Sequence, residues 1–394
     1  MKISQKVKDL PPSGIRKYFD IASTIDDVIS LGVGEPDFVT PWRVREAAMY
    51  AFEKGYTTYT SNWGVLELRQ LISKYEMEGI GVDYNPKNEI LVTTGVSEAI
   101  DLAIRAITDP GDEVLVVEPC YVSYKPCIMM ADGVPVSVSS KPENDFRVTK
   151  EDLEAKITSK TKSIILSYPN NPTGAIMTRK DLEEVADVAI EHDLMVLSDE
   201  VYDKLTYEGT HSSIASLNGM RDNTIVLNGF SKAFAMTGWR LGYACGNHEV
   251  IEAMMKIHQY TMLCAPITAQ MGAIEALKSG QSEMKEMVSE YNRRRRVIVR
   301  GFNSMGLSCF EPKGAFYAFP SVKSTGLSSE EFAERLLYEY HVVVVPGSVF
   351  GESGVGHLRC SYATSMDGIK EALGRIEAFI DEIKKQHAPT LKHR

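Results

Sequence analysis

Lys232 and Arg240 stand eight residues apart in the stretch Thr224–Tyr243, in company that is otherwise mostly apolar or small. The run that opens the stretch, Thr224–Leu227, reads as a short buried strand closed by Asn228-Gly229. A lysine just past a strand end in such surroundings is expected to hold its proton less tightly, because a buried ammonium is poorly solvated. The neutral amine is then a nucleophile and a base. A lysine snorkelling from a loop is the competing reading. Two more strand ends carry unusual polar residues. Ser163–Leu166 runs into Ser167-Tyr168-Pro169-Asn170-Asn171-Pro172-Thr173-Gly174, and Met195–Leu197 runs into Ser198-Asp199-Glu200-Val201-Tyr202. Each has a plain reading when taken alone: a turn, a helix cap at Asp199, half of a surface pair at Arg240. Ligands of open parallel sheets sit at the carboxyl ends of strands. Taken together, these ends supply an amine, a carboxylate, a phenol, an amide and a guanidinium to one sheet edge.

The elements that must position them follow from the hydrophobic pattern. Apolar runs at Ile90–Val92, Glu113–Val117, Val134–Val138, Ser163–Leu166, Met195–Leu197 and Ile225–Leu227 alternate with helix-period segments such as Asp181–Glu191. Thr178 caps that helix. This repeated order predicts an α/β fold with a largely parallel sheet covered by helices on both faces. Ahead of it lie an arm with Ser13 as a helix cap, a short strand Val28–Leu31, and a glycine-rich turn Gly32-Val33-Gly34-Glu35-Pro36-Asp37. That turn suits close backbone approach to something small. Helices follow at about Trp42–Lys54 and Val65–Glu78, joined by the aromatic and polar Gly55–Thr60. Beyond residue 280 the pattern changes to a long charged helix (Ser282–Met305) and apolar runs at Leu307–Phe310, Ala315–Phe319, Val342–Val345 and Leu358–Ser361. Helices at Ser328–Tyr340 and Met366–Lys384 complete a smaller α+β domain, on which the N-terminal arm is expected to pack. The expected division is 1–44 (arm and part of the small domain), 45–280 (large domain) and 281–394 (C-terminal small domain).

The totals exclude several classes. The chain has 394 residues, 44% hydrophobic and 24% charged, and a formal net charge of −10, which speaks against nucleic-acid or membrane-surface binding. Arg293–Arg296 lacks interleaved aromatics and reads as a solvated helix face. Six scattered cysteines without a CxxC pair suggest neither a disulfide framework nor a metal site, and fit a cytoplasmic protein. No signal-like or membrane-spanning apolar run is present. A nicotinamide dehydrogenase would require GxGxxG after a strand, which is absent.

The polar set suits pyridoxal phosphate, which needs a lysine for its Schiff base, a carboxylate at its ring nitrogen, donors to its phenolate oxygen and an anion site for its phosphate. Thr93-Thr94-Gly95-Val96-Ser97-Glu98 opens the helix Ser97–Ile107, whose free N–H groups would receive the phosphate, with Arg240 adding a bidentate charge. Asn171-Pro172-Thr173-Gly174, Ser198-Asp199-Glu200-Val201-Tyr202 and Ser231-Lys232-Ala233-Phe234-Ala235-Met236-Thr237-Gly238-Trp239-Arg240-Leu241-Gly242, in this order and spacing, resemble the fold-type-I, class I and II aminotransferases. The likeness is to the branch of archaeal aromatic and bacterial aspartate enzymes, and it covers essentially the whole chain.

The resemblance implies a mostly parallel seven-stranded sheet in a large cofactor-binding domain, and a homodimer with shared active sites. It implies Lys232 as Schiff-base lysine and base, Asp199 at the pyridinium nitrogen, and Tyr202 and Asn171 at the phenolate oxygen. Gly95, Val96, Ser97, Ser231 and Arg240 would hold the phosphate. Tyr121 would stack on the cofactor, and Tyr59 would reach the phosphate of the neighbouring subunit. Arg359 and the Gly34 backbone would take the substrate α-carboxylate, with Ile15 of the arm on the substrate side. Some positions depart from relatives. Gly229 stands where many aspartate enzymes carry a phosphate-binding serine. Ser97 stands where the bacterial aspartate branch has a lysine for the distal carboxylate. Arg16 reads either as a mobile cation for an acidic co-substrate or as a surface residue. The expected reaction moves an amino group from an L-amino acid, aromatic or broadly neutral, to a 2-oxo acid such as 2-oxoglutarate. Aspartate transamination, a specialised transaminase of a furan phosphate aldehyde, and C–S β-lysis are the alternatives. A cofactor-sensing regulator on this fold would carry an added basic DNA-binding domain, and the chain begins directly with the arm.

Overall fold

The computed structural model describes residues 2–12, 14, 15, 18, 21 and 25–387. Ser13 and Arg16 lie outside the described residues. The first strand, β1 (Ile29–Ser30), belongs to no central sheet and pairs in parallel with a strand more than 300 residues later. The central sheet follows: β2 (Ile90–Thr93), β3 (Glu113–Glu118), β4 (Val134–Ser139), β5 (Thr161–Ser167), β6 (Met195–Asp199), β7 (Thr224–Gly229) and β8 (Gly242–Cys245). Its seven strands run in the spatial order β2-β8-β7-β6-β5-β3-β4, parallel except for β8, which is antiparallel to both neighbours. The run at Leu241 thus returns along β7 with only a short 3-10 turn, Thr237–Trp239, between, so Lys232 and Arg240 sit in the strand-to-strand connection.

Strands buried on both faces read as unbroken apolar runs, and alternate residues serve different layers. In β3, Val114 and Val116 join one core cluster, while Leu115 and Val117 join the other. Helix Arg179–Glu191 begins as the sequence indicates: Thr178 accepts from the Asp181 N–H, and Asp181 accepts back from the Thr178 N–H at 2.7 Å. Helices Trp42–Glu53 and Leu66–Ile80 also form close to their expected bounds.

Beyond helix Gln281–Ser304 come β9 (Tyr317–Ala318), β10 (Val342–Val343), β11 (Val345–Pro346) and β12 (Leu358–Ser361). The expected strand Val342–Val345 divides at Val344. β10 pairs with β1, whereas β11 joins β12 and β9 in an antiparallel sheet. The Leu31 N–H donates to Val343 O at 2.9 Å, and Leu31 O accepts from the Ser361 N–H at 2.6 Å, so the N-terminal strand is laced into the C-terminal elements. Leu307–Phe310, expected as a strand, is irregular. The Asn303 side chain takes up the backbone of Cys309, donating to its carbonyl and accepting from its N–H, each at 3.0 Å, which leaves no strand partner to be sought there.

The Arg293–Arg296 run is not a solvated face. Helical spacing turns Arg294 and Arg295 inward while Arg293 and Arg296 stay exposed. Arg294 pairs with Asp37 at 2.7 Å and Glu290 at 3.0 Å, and Arg295 with Glu208 at 3.0 Å. Arg294 therefore ties the long helix to the glycine-rich turn at Gly34. Among the described residues, no helix is long and apolar enough to cross a membrane.

Candidate active site

The carboxyl ends of β5, β6 and β7 lie side by side: Ser167 registers with Asp199, and Asp199 with Leu227. Above them opens a cavity of about 570 Å³. It gathers Asn171, Asp199, Tyr202, Ser231, Lys232 and Arg240 from these strand ends. Val96 and Ser97 come from the helix after β2, Tyr121 from the chain after β3, Gly34 and Ile15 from the N-terminal segment, and Arg359 from β12. Of the residues given a cofactor or substrate role in the sequence analysis, Gly95 and Tyr59 do not line it. Gly95 lies immediately behind, and Tyr59 is 81% exposed on the outer surface.

Lys232 is half-buried and donates from Nζ to Gly34 O at 2.7 Å. Burial lowers its pKa to about 8, with Arg359 and Arg240 pushing the same way and Glu35 opposing. Asp199 is 5% exposed; Oδ2 accepts from Tyr124 Oη at 2.6 Å, and Oδ1 from the Val201 N–H at 3.3 Å. Burial raises its pKa to about 6, against the pull of those two hydrogen bonds. No ion pair is made to it among the described residues, so this buried carboxylate lacks a cation, one that a protonated ring nitrogen would supply. Its neighbour Glu200 anchors the turn below, accepting from Ser198 Oγ (2.8 Å) and Ser213 Oγ (2.5 Å), with the His211 ring nitrogen at 2.6 Å.

The anion end is built from a helix start. Gly95 precedes helix Val96–Ile107 with φ 77° and ψ 167°, a conformation only glycine takes readily, and a Cβ there would stand 2.7 Å from Arg240 Nη2. The first-turn N–H groups have no intrahelical acceptor. Glu98 takes the Thr94 N–H at 2.5 Å and is itself held by His258 Nδ1 at 2.7 Å, fixing the loop from below. Arg240 is exposed toward the cavity in a left-handed conformation (φ 52°). At Gly229 a side chain would put Cβ 3.0 Å from Gly242 Cα, Leu241 O and Val96 Cγ2, so the serine of relatives would need these neighbours to give by a few tenths of an ångström.

Arg359 is 2% exposed, its guanidinium between the rings of Tyr317 (4.8 Å) and Phe350 (4.9 Å). It donates from Nη1 to Asn171 Oδ1 at 3.1 Å and from Nη2 to Gly32 O at 2.5 Å. Its Nε is buried with no partner, which suits a carboxylate. Asn170, next to Asn171, builds the turn, accepting from the Thr173 N–H at 3.1 Å and hydroxyl at 2.8 Å. The Asn-Asn-Pro-Thr-Gly segment is therefore both a turn and a binding element.

Sequence reasoning missed Tyr124 and gave Tyr317 no role. Tyr124 carries one signal, its place three residues after Tyr121, but nothing local shows that its hydroxyl meets Asp199 75 positions on. The donor set fits pyridoxal phosphate: an amine of lowered pKa, a buried unpaired carboxylate and a helix-start anion cradle. Among the described residues, no group of His, Cys, Asp and Glu is spaced to hold a metal ion.

Residues 26–376 match the family Aminotransferase class I and II. The chain is 46% identical to the aromatic-amino-acid aminotransferase 2 of Thermococcus litoralis, over 98% of this chain and 100% of that one. It is equally 46% identical to the aspartate aminotransferase of Pyrococcus abyssi, with the same coverage. The solved aromatic aminotransferase from Pyrococcus horikoshii matches with a TM-score of 0.90 and 44% identity, covering 94% of this chain and 99% of that one. The chain belongs to the class I and II aminotransferases and is a pyridoxal-phosphate-dependent transaminase.

Proposed function

We propose that the enzyme transfers the amino group of a neutral, preferentially aromatic, L-amino acid to a 2-oxo acid by ping-pong half-reactions. The observation that carries the substrate preference is the charge of the cavity. Among the described residues its cations are Lys232, Arg240 and Arg359, and the proposed roles use all three. No described cation is left for a side-chain carboxylate, while Ile15, Val33, Tyr121 and Tyr317 offer apolar and aromatic walls. Of the three relatives named above, two are named for aromatic substrates and one for aspartate, and the walls support the aromatic reading.

Pyridoxal phosphate, when bound, supplies the electron sink that makes a substrate α-proton removable. The chain's residues do the rest. Arg359 receives the α-carboxylate and orients the α-carbon toward Lys232. Lys232, in its neutral form, takes a proton at that carbon and later returns it. Asp199, steadied by Tyr124, would keep the ring nitrogen protonated. Tyr202 and Asn171 would donate to the phenolate oxygen, Tyr121 would cover the ring, and Gly95, Val96, Ser97, Ser231 and Arg240 would hold the phosphate. A donor screen with 2-oxoglutarate as acceptor tests the substrate reading: aromatic and branched neutral donors should outpace aspartate in kcat/KM. A clear aspartate preference would overturn it, and pyruvate and ammonia released without an acceptor would argue for β-lysis. Arg359→Lys should raise KM about 10- to 100-fold for amino and 2-oxo acids alike, since the fork and its stacking are both lost. A change confined to one substrate class rules Arg359 out as the shared carboxylate site.

We also propose a homodimer in which Tyr59 of each chain serves the other's phosphate site. Supporting it is an exposed apolar surface that includes Trp42, Met49, Tyr50 and Phe52 on one helix, together with Tyr59 and Tyr260. Asn62, near Tyr59, donates to Leu263 O at 2.7 Å, bringing its loop beside the chain just past Tyr260. Sedimentation should give about twice 43.8 kDa; a monomer would exclude sharing. The division at 44/45 and 280/281 is proposed on the same footing, Gly280 separating helix Ile267–Ser279 from helix Gln281–Ser304. A cytoplasmic location is supported by six free cysteines, and cell fractionation checks it.

A further inference from the structure

Tyr317 touches two parts of the site at once. Its ring lies under the Arg359 guanidinium at 4.8 Å, and its hydroxyl is 2.7 Å from that of Tyr202. Both phenols are buried. The rings of the two tyrosines meet edge to face, their centroids 5.8 Å apart, and the Phe316 ring packs against each in turn, so the hydroxyls have little freedom to separate. A Cβ at Gly34 would run into the Tyr317 hydroxyl, so the glycine-rich turn closes the pair from the other side.

Two hydroxyls sharing one hydrogen bond leave one proton for something else. Which phenol donates to the other is set by their surroundings. Burial disfavours ionisation of both and Arg359 opposes it at both, but Tyr202, where the Tyr317 phenol adds to the effect of burial, is raised well above the ordinary phenol value and Tyr317 less so. The more acidic phenol is the better donor. Lys232 and Asp199 are the other charged groups close to the pair, with the Tyr121 phenol beyond Tyr317. Lys232 Nζ stands 5.8 Å from the Tyr202 ring centroid and donates to Gly34 O at 2.7 Å.

We propose that Tyr317 is a positioning residue for the transamination site: it donates its hydroxyl proton to Tyr202, orients the Tyr202 proton into the cavity toward the cofactor's phenolate oxygen, and stacks beneath Arg359. Accepting one hydrogen bond strengthens the bond that Tyr202 donates. The inference rests on the assignment of Tyr202 to that oxygen, and the test separates the two. A stronger donor at a phenolate favours its charged form, so weakening it raises the pH midpoint of the bound cofactor's visible absorbance change.

The test titrates that absorbance in the holoenzyme and in the variants Tyr202→Phe, Tyr317→Phe and the double variant, with steady-state kinetics in parallel. Tyr202→Phe should raise the midpoint, which checks the underlying assignment; an unchanged midpoint there overturns the assignment and the inference with it. Tyr317→Phe keeps the ring beneath Arg359, so it should raise the midpoint by about half a unit to one unit, lower kcat and leave KM within about twofold. The double variant should match Tyr202→Phe alone, since the relay acts only through Tyr202. Tyr317→Leu, which also removes the stack, should additionally raise KM for amino and 2-oxo acids. A Tyr202→Phe shift with no Tyr317→Phe shift, or shifts that add in the double variant, overturns the relay.

Discussion

Lys232→Ala is expected to lose at least about 10⁴-fold in turnover, because the amine proposed as both nucleophile and base, the one lysine lining the site among the described residues, is gone. The variant should stay folded. Lys232 is half-buried and makes one hydrogen bond, to Gly34 O, so thermal unfolding should move by only a few degrees. The measurements are kcat/KM with the best donor of the screen, the unfolding midpoint, and the visible absorbance after incubation with pyridoxal phosphate. Retained turnover sinks the assignment. A pH dependence accompanies it in the wild-type apo-protein. With the lysine pKa lowered by burial to about 8, the ammonium predominates below that pH and cannot attack. Cofactor uptake should therefore fall about tenfold per unit as pH drops below about 8, and level off above it. Uptake that is flat from pH 6 to 9 would show that Lys232 is not the attacking group.

Asp199→Asn is expected to cost about 10²- to 10³-fold in kcat. The amide is nearly isosteric and its oxygen can still accept from Tyr124, so the ring-side geometry is kept while the negative charge and the weak 3.3 Å bond from the Val201 N–H are lost. Tyr124→Phe makes the complementary change, keeping the charge and removing one hydrogen bond, and should cost about tenfold or less. The ordering is the test. Equal losses in the two variants would mean that Asp199 acts only as a structural acceptor, and that the ring nitrogen is not held by it. Because Asp199 titrates near 6 in the ligand-free protein, cofactor affinity should also weaken as pH falls through that value, where protonation removes the charge that pairs with the ring. Asp199→Asn should bind the cofactor weakly and without that inflection.

The parts of the site that were legible in the sequence are local. Asp199 and Tyr202 share one turn, Ser231 and Lys232 are adjacent, and Gly95, Val96 and Ser97 open one helix, so a few contiguous residues carry both the element and the chemistry. The pairings that complete the site are remote: Tyr124 to Asp199 across 75 positions, Arg359 to Asn171 across 188, Lys232 to Gly34 across 198. No periodicity records them. The same gap explains the misread arginines. Arg294 and Arg295 look solvated until Asp37 and Glu208 arrive from distant segments to neutralise them. It also explains Val342–Val345, one apolar run that two different sheets divide between them.

Short segments carried the alternation of strand and helix, the family, and the amine, carboxylate, phenol and guanidinium proposed for the site, because apolar period and strand-end chemistry are local properties. Tertiary structure alone decided which donors those groups face. β8 runs back along β7 and stands close against Gly229. The small antiparallel sheet delivers Arg359 to the cavity on the far side of Asn171, and Tyr317 comes with it beneath the guanidinium and against Tyr202. Close packing is what fixes these contacts: a buried hydroxyl or guanidinium must find a partner among the neighbours the fold provides, and those neighbours are known only once the chain has closed on itself.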